Sequence, residues 1–156
     1  MEFKRVTLPE QHYFYIEQTV PMSADGISQA MGNGFGAVFG FTETKGVERI
    51  SMPSAIYLDM PSPEGMTFRT AIFVRSEDTF KAEPPVSAGV LPAGEAMMTV
   101  HVGPYATLNQ SHQALWAHMT ENNIPAAMPI WEVYVDDPTT VPEAECRTEV
   151  YRMIGS

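Results

Sequence analysis

The chain has 156 residues, 44% of them hydrophobic, which is enough for one ordinary domain with a sizeable core. Acidic residues outnumber basic ones by 19 to 9, a formal net charge of −10 that excludes a phosphate-tracking nucleic-acid surface and favours cationic partners. Cys146 is the sole cysteine, so no intramolecular disulfide forms, and neither an apolar signal core nor a membrane-length run occurs, so a soluble cytoplasmic protein is expected.

Residues 3–7 and 12–20 (HYFYIEQTV) predict strands. From Pro21 to Thr44 a helix is predicted, with Ile27, Met31, Phe35, Val38 and Phe39 along one side. Inside it, Gly32-Asn33-Gly34-Phe35-Gly36-Ala37 has the letters of a dinucleotide fingerprint. It neither leaves a strand nor opens a helix in a βαβ unit, so no cofactor is expected. Gly32, Gly36 and Gly40 instead recur every four residues and predict a helix face of close backbone packing. Strands near 54–59 and 68–75 follow, and then the pattern starts again. Residues 95–102 (EAMMTVHV) read as a strand, and Tyr105, Leu108, His112, Leu115, Trp116 and Met119 mark an amphipathic helix ending near Asn122-Asn123. Strands 130–136 and 146–153 (CRTEVYRM) close the chain.

The halves match letter by letter. Leu8-Pro9 answers Leu91-Pro92, Met52-Pro53 answers Met128-Pro129, Tyr57-x-Asp59-x-Pro61 answers Tyr134-x-Asp136-x-Pro138, and Arg69-Thr70 answers Arg147-Thr148. Four matches in one order indicate a duplication. The expected fold is α+β: a single domain, 1–156, whose halves of about 1–78 and 79–156 are each a ββαββ unit. Two antiparallel sheets with two helices, related by a pseudo-two-fold axis, would leave a central ligand groove. The aspartates of the matched strand ends read as turn residues.

The strand PIWEVYVDDP (129–138) raises a chemical question, because Glu132 stands in a stretch that reads as buried on both faces. It shares a face with Ile130 and Tyr134, whereas Trp131 and Val133 point the other way. A carboxylate there costs several kcal/mol unless something pairs with it. His112 and His118 are six apart, the wrong spacing for a helical zinc pair, and no metal site is expected. Cys146 beside Arg147 reads as core rather than as a nucleophile. The aromatic residues are the remaining signal: Tyr57 and Tyr134 are repeat mates, and Tyr105, Trp116, Trp131 and Phe39 complete a candidate ligand wall around Glu132. Tyrosines around one buried carboxylate suit a flat, lipophilic cation.

The stretches TVPMSADGI, HVGPYATLNQSHQALWAHM, IWEVYVDDP and CRTEVYRM resemble the GyrI-like effector-binding domains, the ligand-sensing modules of AraC-type and BmrR-type multidrug regulators, which also occur as standalone proteins. The resemblance spans nearly the whole chain and centres on Glu132-Val133-Tyr134-Val135-Asp136-Asp137-Pro138. It implies the duplicated α+β fold, and it implies that Glu132 pairs with cationic drugs at the bottom of an aromatic pocket that includes Tyr134. A helix-turn-helix is not among the predicted elements, so no direct nucleic-acid binding is expected. Two alternatives remain from the same family: a hydrolase of cyclopropane-bearing alkylating agents with Glu132 as general base, and a module that binds a protein partner, as gyrase-inhibiting relatives do.

Overall fold

The computed structural model describes residues 1–21, 24–60, 65–137 and 139–155, without the side chains of residues 24, 25 and 28. Met22, Ser23, Pro61 and Pro138, which belong to the sequence matches above, lie outside the described residues. The strands are β1 (Phe3–Leu8), β2 (Gln11–Val20), β3 (Ser54–Tyr57), β4 (Met66–Val74), β5 (Ser87–Leu91), β6 (Gly94–Val102), β7 (Ala126–Tyr134) and β8 (Arg147–Ile154). The helices are α1 (Ala24–Lys45) and α2 (Leu108–Glu121), the second preceded by a 3₁₀ turn at Tyr105–Thr107. Reading the sequence missed β5, whose SAGVL has small residues in place of the usual strand formers.

Two compact units result, Glu10–Pro92 and Met1–Pro9 with Ala93–Ser156, rather than a division near residue 78. The reason lies in strand pairing. β1 pairs with β6 and β5 pairs with β2, so each unit takes its edge strand from the start of the other half's sequence. In the first unit β5, β2, β4 and β3 lie side by side, and in the second β1, β6, β8 and β7 do, all antiparallel. In the first, α1 covers Phe14, Ile72 and Val74 with Val38, and each fully buried side chain contributes about 1.5–3 kcal/mol. In the second, α2 lays Leu108, Leu115 and Met119 over Met97 and Val150.

The ladders define which residues of the two units are equivalent. Leu91 faces Gln11 as Leu8 faces Gly94, so β1 answers β5 and β6 answers β2 at an offset of 83. Both helices end in the same hydrogen-bonded cap. Gly46 N–H donates to Glu43 and Val47 N–H to Thr42, while Asn123 N–H donates to Thr120 and Ile124 N–H to Met119, an offset of 77. Gly46 and Asn123 take the positive φ this cap needs, +66° and +56°. Tyr57 and Tyr134 keep that offset. Arg69-Thr70 does not match Arg147-Thr148, however. Arg69 pairs with Glu17 and Ile56, and the residue pairing with their counterparts Val100 and Val133 is Glu149. The letter match slipped by two residues along a strand, which preserves the face but not the place.

The glycine face is also corrected. A Cβ on Gly32, Gly36 or Gly40 would meet nothing within 4 Å, whereas one on Gly34 would run into Thr70 and Gln18. Ser111 fills the equivalent place on α2 and bonds His101, the counterpart of Gln18. Gly36→Ala should therefore stabilise the protein by about 0.5–1 kcal/mol through helix propensity, and Gly34→Ala should destabilise it by about 1–3 kcal/mol. Urea denaturation of both variants checks the sign at each position.

Candidate functional site

The second unit carries a polar cluster where β7 and α2 meet. Residues 130, 132 and 134 of β7 and 148, 150 and 152 of β8 share the face beneath α2, with Glu132 opposite Val150 and Tyr134 opposite Thr148. Glu132 is only 4% exposed and keeps its place through both carboxylate oxygens. Tyr134 O–H donates to Oε1 at 2.6 Å, and His112 Nε2–H donates from α2 to Oε2 at 2.6 Å. Such charge-assisted bonds are roughly twice as strong as neutral ones. The His112 side chain remains about a quarter exposed, so it stands between the carboxylate and solvent. Tyr105 meets Tyr134 edge-on at 5.4 Å between ring centres. Burial holds the Tyr105 phenol above its ordinary value, with smaller pushes from Cys146, Asp137, Asp136 and Glu132, so it stays a neutral donor.

One helical turn past His112, Trp116 lies beneath the guanidinium of Arg152, 4.3 Å from ring centre to the charge. Trp116 is half exposed and Arg152 is buried. The equivalences make the composition of this cluster informative. Where the second unit has His112, Trp116, Glu132, Thr148 and Arg152, the first has Phe35, Phe39, Ala55, Phe68 and Ile72. The same architecture is thus built in one unit with an apolar set, so folding does not require the polar one.

The six aromatic candidates divide between the two faces or the two units. Tyr134, Tyr105 and Trp116 gather with Glu132 on the α2 face. Trp131 occupies the opposite face, 2% exposed and stacked flat on Tyr151 at 4.9 Å. Tyr57 and Phe39 belong to the first unit, where Tyr57 lies 6.3 Å from Phe68 and Phe39 packs on the core beneath the Arg49 guanidinium. Arg147 and Arg69, the basic residues of the matched strand pair, are engaged elsewhere: Arg147 is bound to Asp136, and Arg69 to Glu17 and Tyr13. Sequence reasoning missed His112 as the partner. The available signal was a histidine within the buried stripe of α2.

The other reactive groups have structural roles. His101 bonds Ser111 and Pro104, and His118 stacks on Phe3. Desolvation and the carboxylates of Asp136, Glu143 and Asp137 push the Cys146 thiol up, away from nucleophilic use. Asp136 binds the Arg147 backbone and guanidinium, and Asp137 caps Thr139. Among the described residues no group of three or more His, Cys, Asp or Glu side chains is placed to hold a metal, and no helix is long and apolar enough to cross a membrane.

Residues 1–154 match the GyrI-like small molecule binding domain. Among solved structures, the EcmrR C-terminal domain is similar at a TM-score of 0.80 and 20% identity, over 99% of this chain and 98% of that one. SAV2435 bound to tetraphenylphosphonium is similar at 0.67 and 14% identity, over 100% and 95%. A hydrolase from Listeria innocua is similar at 0.63 and 13%, over 99% and 92%. No curated protein sequence matches.

Proposed function

Because this chain belongs to the GyrI-like small molecule binding domain family, we propose that its ligand is a lipophilic cation held at Glu132. The observation that carries this reading is a carboxylate 4% exposed, bonded to His112 and Tyr134, at a position where the equivalent unit has Ala55. A buried charge that folding does not require is an expense the fold would otherwise avoid. An arriving cation gains charge pairing with Glu132 and the faces of Tyr105 and Tyr134. The tetraphenylphosphonium complex of SAV2435 supports the same ligand class. The test is calorimetric titration with tetraphenylphosphonium and with triphenylphosphine oxide, a neutral triaryl analogue. The cation should bind about ten-fold or more tightly. Equal affinities would overturn the reading.

A second reading is favoured by one contact. His112 Nε2 and Glu132 Oε2, 2.6 Å apart, form an acid–base pair that could activate water, as a strained-ring hydrolase requires. Product exceeding the protein concentration, with a cyclopropane-bearing alkylating agent as substrate, would establish turnover. Product that stops at one equivalent leaves binding as the function.

A further inference from the structure

We infer that Arg152 and Trp116 form an anion-accepting subsite beside Glu132, so that the preferred ligand is a zwitterion, carrying a cationic group for Glu132 and a carboxylate for Arg152. The inference rests on the reading of Glu132 as a cation site and names its ligand class more narrowly.

Arg152 is 9% exposed, and its Nε is buried with no hydrogen-bond acceptor among the described residues. In a chain with 19 acidic and 9 basic residues, a buried arginine without a carboxylate among the described residues is a selective omission. Arg5 is paired with Glu95 and Arg147 with Asp136, and each is held above its ordinary value by that hydrogen-bonded partner. Arg152 is held below its ordinary value, and burial is the cause. The second buried polar atom without a partner among the described residues is Thr148 Oγ1, on the same face of β8. These two residues flank Val150, which faces Glu132.

The geometry suits a planar oxyanion. The Arg152 guanidinium carbon lies 4.3 Å over the Trp116 ring centre, and the ring offers that cation no hydrogen-bond acceptor, which leaves its N–H groups to bind a carboxylate. Arg152 stands opposite Ile130, so it is a diagonal neighbour of Glu132, about 7–8 Å away along the backbone. Above them, His112 and Trp116 are one turn apart on α2. Acid and base therefore lie at a spacing one small dye spans, and a plain cation meets the repulsion of Arg152 that a zwitterion converts into attraction. Ile72 holds the equivalent place in the first unit, so the fold itself does not need the charge.

The experiment uses a matched pair, rhodamine 110, which has a free carboxylate, and its methyl ester, titrated by fluorescence anisotropy. The acid should bind wild type about ten-fold more tightly than the ester. Arg152→Gln should abolish that preference, the acid losing affinity and the ester gaining it as the repulsion is removed. Arg152→Lys, which keeps the charge but loses the fork, should retain part of the preference and guards against a misfolded glutamine variant. Equal affinity of wild type for acid and ester overturns the inference, as does a preference that survives in Arg152→Gln. Ester binding that depends on Glu132 without any gain from the carboxylate removes this inference and leaves the cation site standing. Binding of neither dye removes both.

Discussion

Trp131→Ala should cost about 3–5 kcal/mol, the range for emptying a large aromatic site in a packed core. Against a total stability of about 5–15 kcal/mol this is a large fraction, and the melting temperature should fall by on the order of 10 °C. Trp131 is 2% exposed, lies flat on Tyr151, and stands on the face of β7 away from Glu132. The first unit places its bulk elsewhere on that face. Its buried aromatic pair is Tyr13 and Phe73, while the places of Trp131 and Tyr151 are taken by Ser54 and Ala71. Each unit thus fills the equivalent face with two large rings at different positions. Differential scanning calorimetry measures the cost. A variant that melts normally but loses dye affinity would make Trp131 a ligand contact instead of core.

The fold was legible wherever one physical rule dominated. Strand and helix periods located both helices and seven of eight strands, and the Leu8 and Leu91 match survives in the ladders because hydrophobic patterning fixes register, while Tyr57 and Tyr134 keep the offset of the two helix caps. What failed was information that sequence spacing does not contain. Nothing in residues 3–8 says that β1 pairs within the later unit, since edge-strand exchange preserves every local pattern. The Arg-Thr match was misleading because a two-residue slip returns each side chain to its original face. Helix period alone could not tell which glycines faced the sheet, and Thr70 with Gln18 settles that at Gly34. In the candidate site, Glu132 and Tyr134 were legible from alternation along one strand. His112 and Arg152 were not, because their significance depends on contacts between elements far apart in the chain.

Glu132→Gln should weaken tetraphenylphosphonium binding about ten- to a hundred-fold, the value of a charge-assisted contact of about 1.5–3 kcal/mol, and leave triphenylphosphine oxide nearly unchanged. Glutamine preserves shape and can still accept from Tyr134, but it offers the cation no charge. His112 refines the expectation. Its Nε2–H occupies Oε2 from the solvent side, so an incoming cation competes with that bond. Removing the competitor in His112→Ala leaves Oε2 to the ligand, and cation affinity should rise several-fold, because one hydrogen bond to a charged group no longer has to be displaced. The two substitutions should not be additive, since the gain from His112→Ala exists only while the carboxylate is charged. In the double variant, therefore, cation affinity should equal that of Glu132→Gln alone. Titrating four proteins with both ligands measures the coupling directly. If His112→Ala weakens the cation as much as Glu132→Gln does, the histidine is a wall of the site rather than the carboxylate's competitor, and the ligand enters without displacing it.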